Sequence, residues 1–171
     1  MSLSRASISR WASIAFAAVG LSGCFQPLYG SSSGTDIGRE MAAITVTPAP
    51  DRAGYYLSKE LTFALNGGGE SPGQKYRLTV NVHERVTTPL IDTVSGRASA
   101  AILAIDVDYK LVSTINSDVV ASGTAFTTES YDRSSQRFAN IRAARDAEIR
   151  GAKVISDQIR TRIAAALKTR G

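Results

Sequence analysis

The sequence predicts an α+β fold: a two-layer sandwich with two helices packed on one face of a four-stranded sheet, in the order β-α-β-β-β-α. Apolar and polar residues alternate over several segments, most regularly over 76–83, as in a half-buried strand. Apolar residues recur three or four positions apart over 57–65 and 144–167, as on one face of a helix. Since the helices and the sheet each have one apolar face, two layers bury all of these faces together.

The first strand and the first helix come early in the folded part of the chain. Residues 44–47 (ITVT) alternate apolar and polar, and two prolines follow them. Asp51 is a residue type that caps helix N-termini, and leucines then recur every fourth position over 57–65. The string Asn-Gly-Gly-Gly at 66–69 predicts the end of this helix.

Three further strands follow one another. Residues 76–83 have apolar even positions and polar odd positions, so one face is buried and the other is in water. The strand predicted over 98–113 is apolar on both faces at its start and on one face later. The turn residues Asn-Ser-Asp at 116–118 join it as a hairpin to the strand at 119–131.

The last segment, about 136–168, contains no proline and predicts one long helix. Its apolar stripe has small residues in the first half and bulky residues in the second half. The stripe consists of Ala144, Ala147, Gly151, Ile155, Ile159, Ile163 and Leu167. Because small side chains let a helix approach a sheet closely, we expect the first half to lie over the sheet.

The N-terminus has the pattern of a secretory signal peptide. Residues 1–10 contain two arginines and no acidic residue, and 11–21 form an uncharged apolar run. A membrane-spanning helix needs about 20 apolar residues, so this run is too short for one. We therefore expect residues 1–23 to be a signal peptide.

Cys24 follows this segment and is the only cysteine of the chain. The string Leu-Ser-Gly-Cys at 21–24 resembles the lipobox of bacterial lipoproteins, in which the cysteine thiol is alkylated with diacylglycerol and the peptide is cut before it. The new amine is then acylated as well, for example with palmitate. We expect a lipid anchor on Cys24, a tether over 24–40 and the folded domain over 41–171.

Composition excludes several classes of protein. A chain of 171 residues with 43% hydrophobic and 20% charged residues suits one globular domain. One cysteine and one histidine, His83, allow neither an internal disulfide nor a Cys/His zinc site, and no G-x-S-x-G motif presents a serine. The formal charge of +5 falls to +3 once residues 1–23, with two of the 20 basic residues, are removed. No nucleic-acid partner is expected.

Two strings resemble the LPS-assembly lipoprotein family LptE in its alphaproteobacterial form. The first is GCFQPLYG at 23–30, and the second runs over 130–147, at the start of the last helix. The predicted element order is also that of this family, and the resemblance covers essentially the whole chain.

The resemblance implies an outer-membrane lipoprotein on the periplasmic face, not an enzyme, with no cofactor and no metal. Members plug the large β-barrel LptD, assist its assembly and bind lipopolysaccharide during transport to the cell surface. Phe25, after the lipidated cysteine, is compatible with export to the outer membrane. The family's ligand contacts lie in regions that here contain Arg97, Arg137 and Arg142. The polar face of the strands is the candidate surface towards a barrel lumen.

A different kind of lipoprotein remains the alternative. Auxiliary lipoproteins of envelope lipid or efflux ABC transporters are also small, acylated and mixed α/β. They would share the lipobox and the composition of this chain. Only the PLYG string at 27–30 and the stretch over 131–146 favour the LptE family over them.

Overall fold

The computed structural model describes residues 37–68, 73–89 and 99–170. The predicted signal peptide, Cys24 and Arg97 lie outside these ranges. Seven elements follow in chain order: α1 (Ile37–Ala42), β1 (Ile44–Val46), α2 (Arg52–Asn66), β2 (Tyr76–Thr87), β3 (Ala100–Ser113), β4 (Val119–Asp132) and α3 (Arg137–Arg170).

The four strands form one sheet in the order β1-β2-β3-β4. β1 runs parallel to β2, with Ile44 opposite Tyr76, and the other two pairs are antiparallel. The predicted α+β class and the order β-α-β-β-β-α are confirmed. The structure adds the short helix α1, which begins before the predicted domain start at 41 and buries Ile37 and Met41 in the core. Six residues are too few for a periodic pattern, which is why the sequence did not predict this helix.

The core lies between the sheet and the helices α2 and α3. The sheet side of the core consists mainly of alternate residues of the three long strands, as the alternation predicted. These residues are Leu78, Val80, Ala101, Leu103, Ile105, Val107, Tyr109, Leu111 and Ala125. Leu57, Leu61 and Leu65 of α2 are buried, and so is the predicted stripe of α3 from Ala147 onward. The other face of the sheet therefore stays exposed.

Local signals set the ends of α2 as predicted. The Asp51 side chain accepts a hydrogen bond of 2.5 Å from the Gly54 backbone N–H, which satisfies one free donor of the first turn. Gly67 ends the helix in the left-handed conformation, with φ of 69°, and its N–H donates to the Phe63 carbonyl.

The close approach of α3 to the sheet occurs at Gly151, in the small-residue half of the stripe. A Cβ at this position would lie 2.6 Å from Ile105 Cδ1 and 3.3 Å from Thr127 Cγ2. These atoms belong to β3 and β4, so the predicted placement of this half over the sheet is confirmed.

The outer edge of β4 is covered by polar side chains of α3. Backbone carbonyls along this edge accept hydrogen bonds from the long helix. The donors are Arg150 to Ser130 at 3.0 Å, Gln158 to Phe126 at 3.1 Å, Arg162 to Thr124, and Arg170 to Val119 at 2.9 Å. An exposed strand edge is a template for pairing with another chain. These side chains occupy acceptors that an added strand would need.

Candidate functional site

A cleft opens where β4 ends and α3 begins, with the start of α2 beside it. Its volume is about 400 Å³. The residues that line it are Arg52, Tyr131, Arg133, Ser135, Arg137, Asn140, Ile141 and Ala144. Three of these eight side chains are arginines, so the cleft is cationic.

The turn between β4 and α3 is held by Asn140. Its side-chain amide donates to the Ser134 carbonyl at 2.9 Å, and its side-chain oxygen accepts from the Ser134 N–H at 2.8 Å. The Ser134 hydroxyl accepts from the Gln136 N–H at 3.2 Å. These bonds fix the turn that separates Arg133 from Arg137. No acidic residue lies in the first turn of α3, so the positive end of the helix dipole is not neutralised from within that turn.

Arg52 is anchored at the side of the cleft by a buried carboxylate. Its Nε donates to Glu148 Oε2 at 2.8 Å, and its Nη2 donates to Glu148 Oε1. Glu148 is 4% exposed, whereas Arg52 is exposed. The hydrogen bonds to Glu148 raise the pKa of Arg52 above its ordinary value, so the guanidinium stays charged. The pair connects α2 to α3 across 96 positions of sequence.

Two more carboxylates lie near this ion pair. Burial raises the pKa of Glu84 above its ordinary value, and the negative charges of Glu148 and Asp51 raise it further. The positive charge of Arg52 acts in the opposite direction. The positive charge of Arg52 thus partly offsets the negative charges of Glu84, Glu148 and Asp51. Arg52 also lines the cleft.

The three arginines predicted from the sequence differ in their position relative to the cleft. Arg137 lines the cleft. Arg142 is exposed and lies five positions further along α3, about 140° around the helix, so it does not line the cleft. Arg97 lies outside the described residues. Sequence reasoning missed Arg52 and Arg133, which the fold brings to Arg137.

Apolar side chains lie beside the arginines. Phe138 is 81% exposed, and Ile141, which lines the cleft, is 44% exposed. Single exposed apolar side chains are common on protein surfaces, but Ile141 is in the wall of a cationic cleft and Phe138 follows Arg137 in the chain. The start of α3 therefore combines cationic and apolar groups in one place, which suits an anionic amphiphile.

The exposed face of the sheet forms a second, polar surface. Cross-strand neighbours on it include His83 opposite Asp106 and Asn81 opposite Asp108. The exposed side chains predicted for this face are Arg77, Thr79, Asn81, His83, Asp106, Asp108 and Lys110, and all seven are exposed. Phe126, opposite Asp106 on β4, is an exposed aromatic side chain on the same face. We call these eight residues the polar sheet face.

Within the described ranges, His, Cys, Asp and Glu residues do not gather in groups of three or more that could hold a metal ion. The helices in the same ranges include none with the length and apolar character needed to cross a membrane.

No family model matches the sequence, and no curated protein matches it significantly. Solved structures do share its fold. A candidate lipoprotein from Caulobacter crescentus is 26% identical with a TM-score of 0.67, and the match covers 77% of this chain and 96% of that one. The minor lipoprotein from Acinetobacter baumannii is 16% identical with a TM-score of 0.52, over 71% of this chain and 88% of that one. The chain therefore has a fold that these lipoprotein structures share.

Proposed function

We propose that the protein is a non-catalytic lipoprotein of the LptE type, anchored to the periplasmic face of the outer membrane by acyl chains on Cys24. In this proposal it binds lipopolysaccharide on its way to the cell surface, and it plugs and helps to assemble an LptD-type barrel. The observation that carries the proposal is the arginine-lined cleft beside the exposed Phe138 and Ile141. The lipobox and the shared lipoprotein fold support the anchor.

The chemistry of the cleft matches both parts of this ligand. Lipopolysaccharide has phosphates and acidic sugars at its polar end and acyl chains at its apolar end. Arg52, Arg133 and Arg137 line the cleft, and residues 133–145 contain no acidic residue. Arginine can form paired hydrogen bonds with phosphate and carboxylate oxygens, and the neighbouring apolar side chains can contact acyl chains.

The polar sheet face supports the barrel half of the proposal. A plug needs an extended surface that tolerates water and polar side chains, because the interior of an outer-membrane barrel is polar. On β2 this face runs from Arg77 to His83, so it extends over about 20 Å along the strands. Its charges are mixed, and both packed helices lie on the opposite side of the sheet.

The ligand half is tested by measuring lipopolysaccharide affinity of the purified full-length protein in detergent. We expect Arg137→Glu, at a residue that lines the cleft, to weaken binding by about tenfold or more. Arg97→Glu and Arg142→Glu test the other two predicted arginines and should weaken binding where the ligand extends beyond the cleft. Lys168→Glu makes the same charge change at the opposite end of α3 and should leave the affinity nearly unchanged. Unchanged affinity in all three arginine variants would remove this site from the proposal.

The partner half is tested by affinity purification of the native lipidated protein. Co-purification of a large outer-membrane barrel supports the LptE-type role. Co-purification of an inner-membrane ATPase complex would instead support an auxiliary lipoprotein of an ABC transporter. Mass spectrometry of the same material tests the anchor: we expect an acylated Cys24 at the amino terminus, and a bare amino terminus would contradict it.

A further inference from the structure

Two distant parts of the chain contribute three arginines to the lining of the cleft. Arg52 comes from the start of α2, Arg133 from the turn after β4 and Arg137 from the start of α3. Among the residues that the structure describes, Glu148 is the only carboxylate that forms an ion pair with any of the three. The charge of Arg52 is compensated on one side by Glu148, whereas the ion pairs among the described residues include none of Arg133 or Arg137. Cationic groups that line one space favour an anion between them. The arrangement is that of an anion-binding site.

Glu148 determines where Arg52 lies in this arrangement. The carboxylate is buried beside Ala53, Leu57 and Ile155, between the helices and the sheet. It accepts hydrogen bonds from two nitrogens of Arg52, which fixes the plane of the guanidinium. A buried carboxylate is costly without such a partner, so each group holds the other in place. The Nη1 amino group of Arg52 is not used in this pair.

From this geometry we infer that the cleft binds a phosphate group, with Arg52, Arg133 and Arg137 as its ligands and Glu148 as the positioning residue for Arg52. The inference rests on the proposed function and names the chemical group that the site recognises. A terminal phosphate has about two negative charges and three acceptor oxygens, so separate guanidinium groups can each bind one oxygen. Tyr131, Ser135 and Asn140 line the same space and add polar groups. A phosphorylated lipid headgroup and free phosphate share this chemistry.

The test measures three probes on the full-length protein in detergent: lipid A with its phosphates, the same lipid after their removal, and inorganic phosphate as competitor. Arg52→Gln should weaken binding of the phosphorylated lipid by about tenfold or more, because charge-assisted hydrogen bonds are lost. The dephosphorylated lipid should bind Arg52→Gln within about twofold of the original affinity. Lys153→Gln removes an exposed charge of α3 outside the cleft and should change neither affinity. Equal losses for both lipids in Arg52→Gln would overturn the inference.

The role of Glu148 is tested by a double-mutant cycle. Glu148→Gln should weaken binding of the phosphorylated lipid, yet cause no further loss in an Arg52→Gln background, because it acts only through Arg52. Additive losses would contradict the positioning role. Circular dichroism checks that Glu148→Gln folds. If it does not fold, Arg52→Lys is used instead. Lysine keeps the positive charge beside Glu148 but lacks the planar guanidinium, so this variant should weaken binding of the phosphorylated lipid by several-fold and leave binding of the dephosphorylated lipid unchanged.

The competitor distinguishes the source of the phosphate. Displacement of the phosphorylated lipid by inorganic phosphate would support a site for phosphate alone, whereas Arg52-dependent binding without displacement would support a site for the lipid-attached group. If the protein binds inorganic phosphate through Arg52 but binds no lipid, the phosphate site is supported and the proposed lipopolysaccharide binding is refuted. If it binds both lipids equally well, lipopolysaccharide binding stands and the phosphate site is refuted.

Discussion

Gly151 offers a sharp test of how α3 packs on the sheet. It lies where the helix approaches β3 closely, and an added methyl group would lie 2.6 Å from Ile105 Cδ1. Non-bonded carbon atoms are most favourable at about 3.5–4.0 Å. Ile105 is 3% exposed and Thr127 Cγ2 lies 3.3 Å from the same methyl position. Gly151→Ala therefore requires the Ile105 side chain to move within a packed core, or α3 to shift away from the sheet.

Two effects of opposite sign determine the result of Gly151→Ala. Helix propensity favours alanine over glycine by about 1 kcal/mol in a helix interior. Overpacking a well-packed core costs about 1–3 kcal/mol. Because the added methyl group contacts the end of a buried side chain, we expect the cost of overpacking to exceed the gain in helix propensity. The free energy of unfolding should therefore fall by about 1 kcal/mol. For a domain of this size the melting temperature should fall by about 4 °C.

Urea unfolding followed by circular dichroism measures this difference. Ala165→Gly, at an exposed position of the same helix, is the matched control and should lose about 1 kcal/mol from propensity alone. Ile105→Val removes the Cδ1 methyl group that the new Cβ meets, so Gly151→Ala should cost less in that background, by about 1 kcal/mol. A Gly151→Ala protein more stable than the original would refute the close approach of α3 to β3.

Three further predictions concern the core, the sheet edge and the pH dependence of stability. Ile159→Asp places an unpaired charge at a fully buried position of α3 and should cost about 3–5 kcal/mol, so a thermal transition at the original temperature would show that the core face is wrong. Replacing Gln158 and Arg162 together by alanine exposes two carbonyls of β4, and sedimentation velocity should then detect concentration-dependent self-association; a strictly monomeric double variant would contradict the protective role. The hydrogen bond from Lys75 lowers the pKa of Glu40 below its ordinary value of 4.5. The ionised Glu40 therefore stabilises the folded protein fully above about pH 4.5, and this contribution is lost as the pH falls through the pKa of Glu40 in the folded state. The stability difference between the original protein and Glu40→Gln should therefore shrink in acid unfolding curves, and a difference independent of pH would argue against this ion pair.

Much of the fold could be predicted because its signals are local. The alternation over 76–83 predicted which side chains of β2 face the helices, and Leu78 and Val80 are indeed buried. Asp51 and the glycines after Asn66 predicted both ends of α2. The helix α1 was not predicted, because it has only six residues and its position depends on contacts with distant parts of the chain. One of these is the hydrogen bond of 2.9 Å from the Tyr76 hydroxyl to Glu40.

The candidate site was only partly predictable. Arg137 and Arg142 were predicted because they lie at the opening of the last helix, in a region where the resemblance places the family's ligand contacts. Helical geometry then separates them, since five positions place their side chains on different sides of α3. Nothing local marks Arg52 as part of the site. Most glutamates lie on exposed surfaces, whereas its partner Glu148 is buried by tertiary contacts.

The sequence by itself determined the four strands, the two long helices and their buried faces, because residue spacing and capping act over a few positions and need no knowledge of distant neighbours. The lipid anchor on Cys24 stays a prediction from the sequence. Only the tertiary structure decided which charges meet. Arg52, Arg133 and Arg137 converge because the sheet and the crossing of α2 with α3 bring chain segments that are far apart in sequence to one end of the molecule. Electrostatic interactions depend on distance in space, so a cationic cleft built from such segments has no signature in the order of residues.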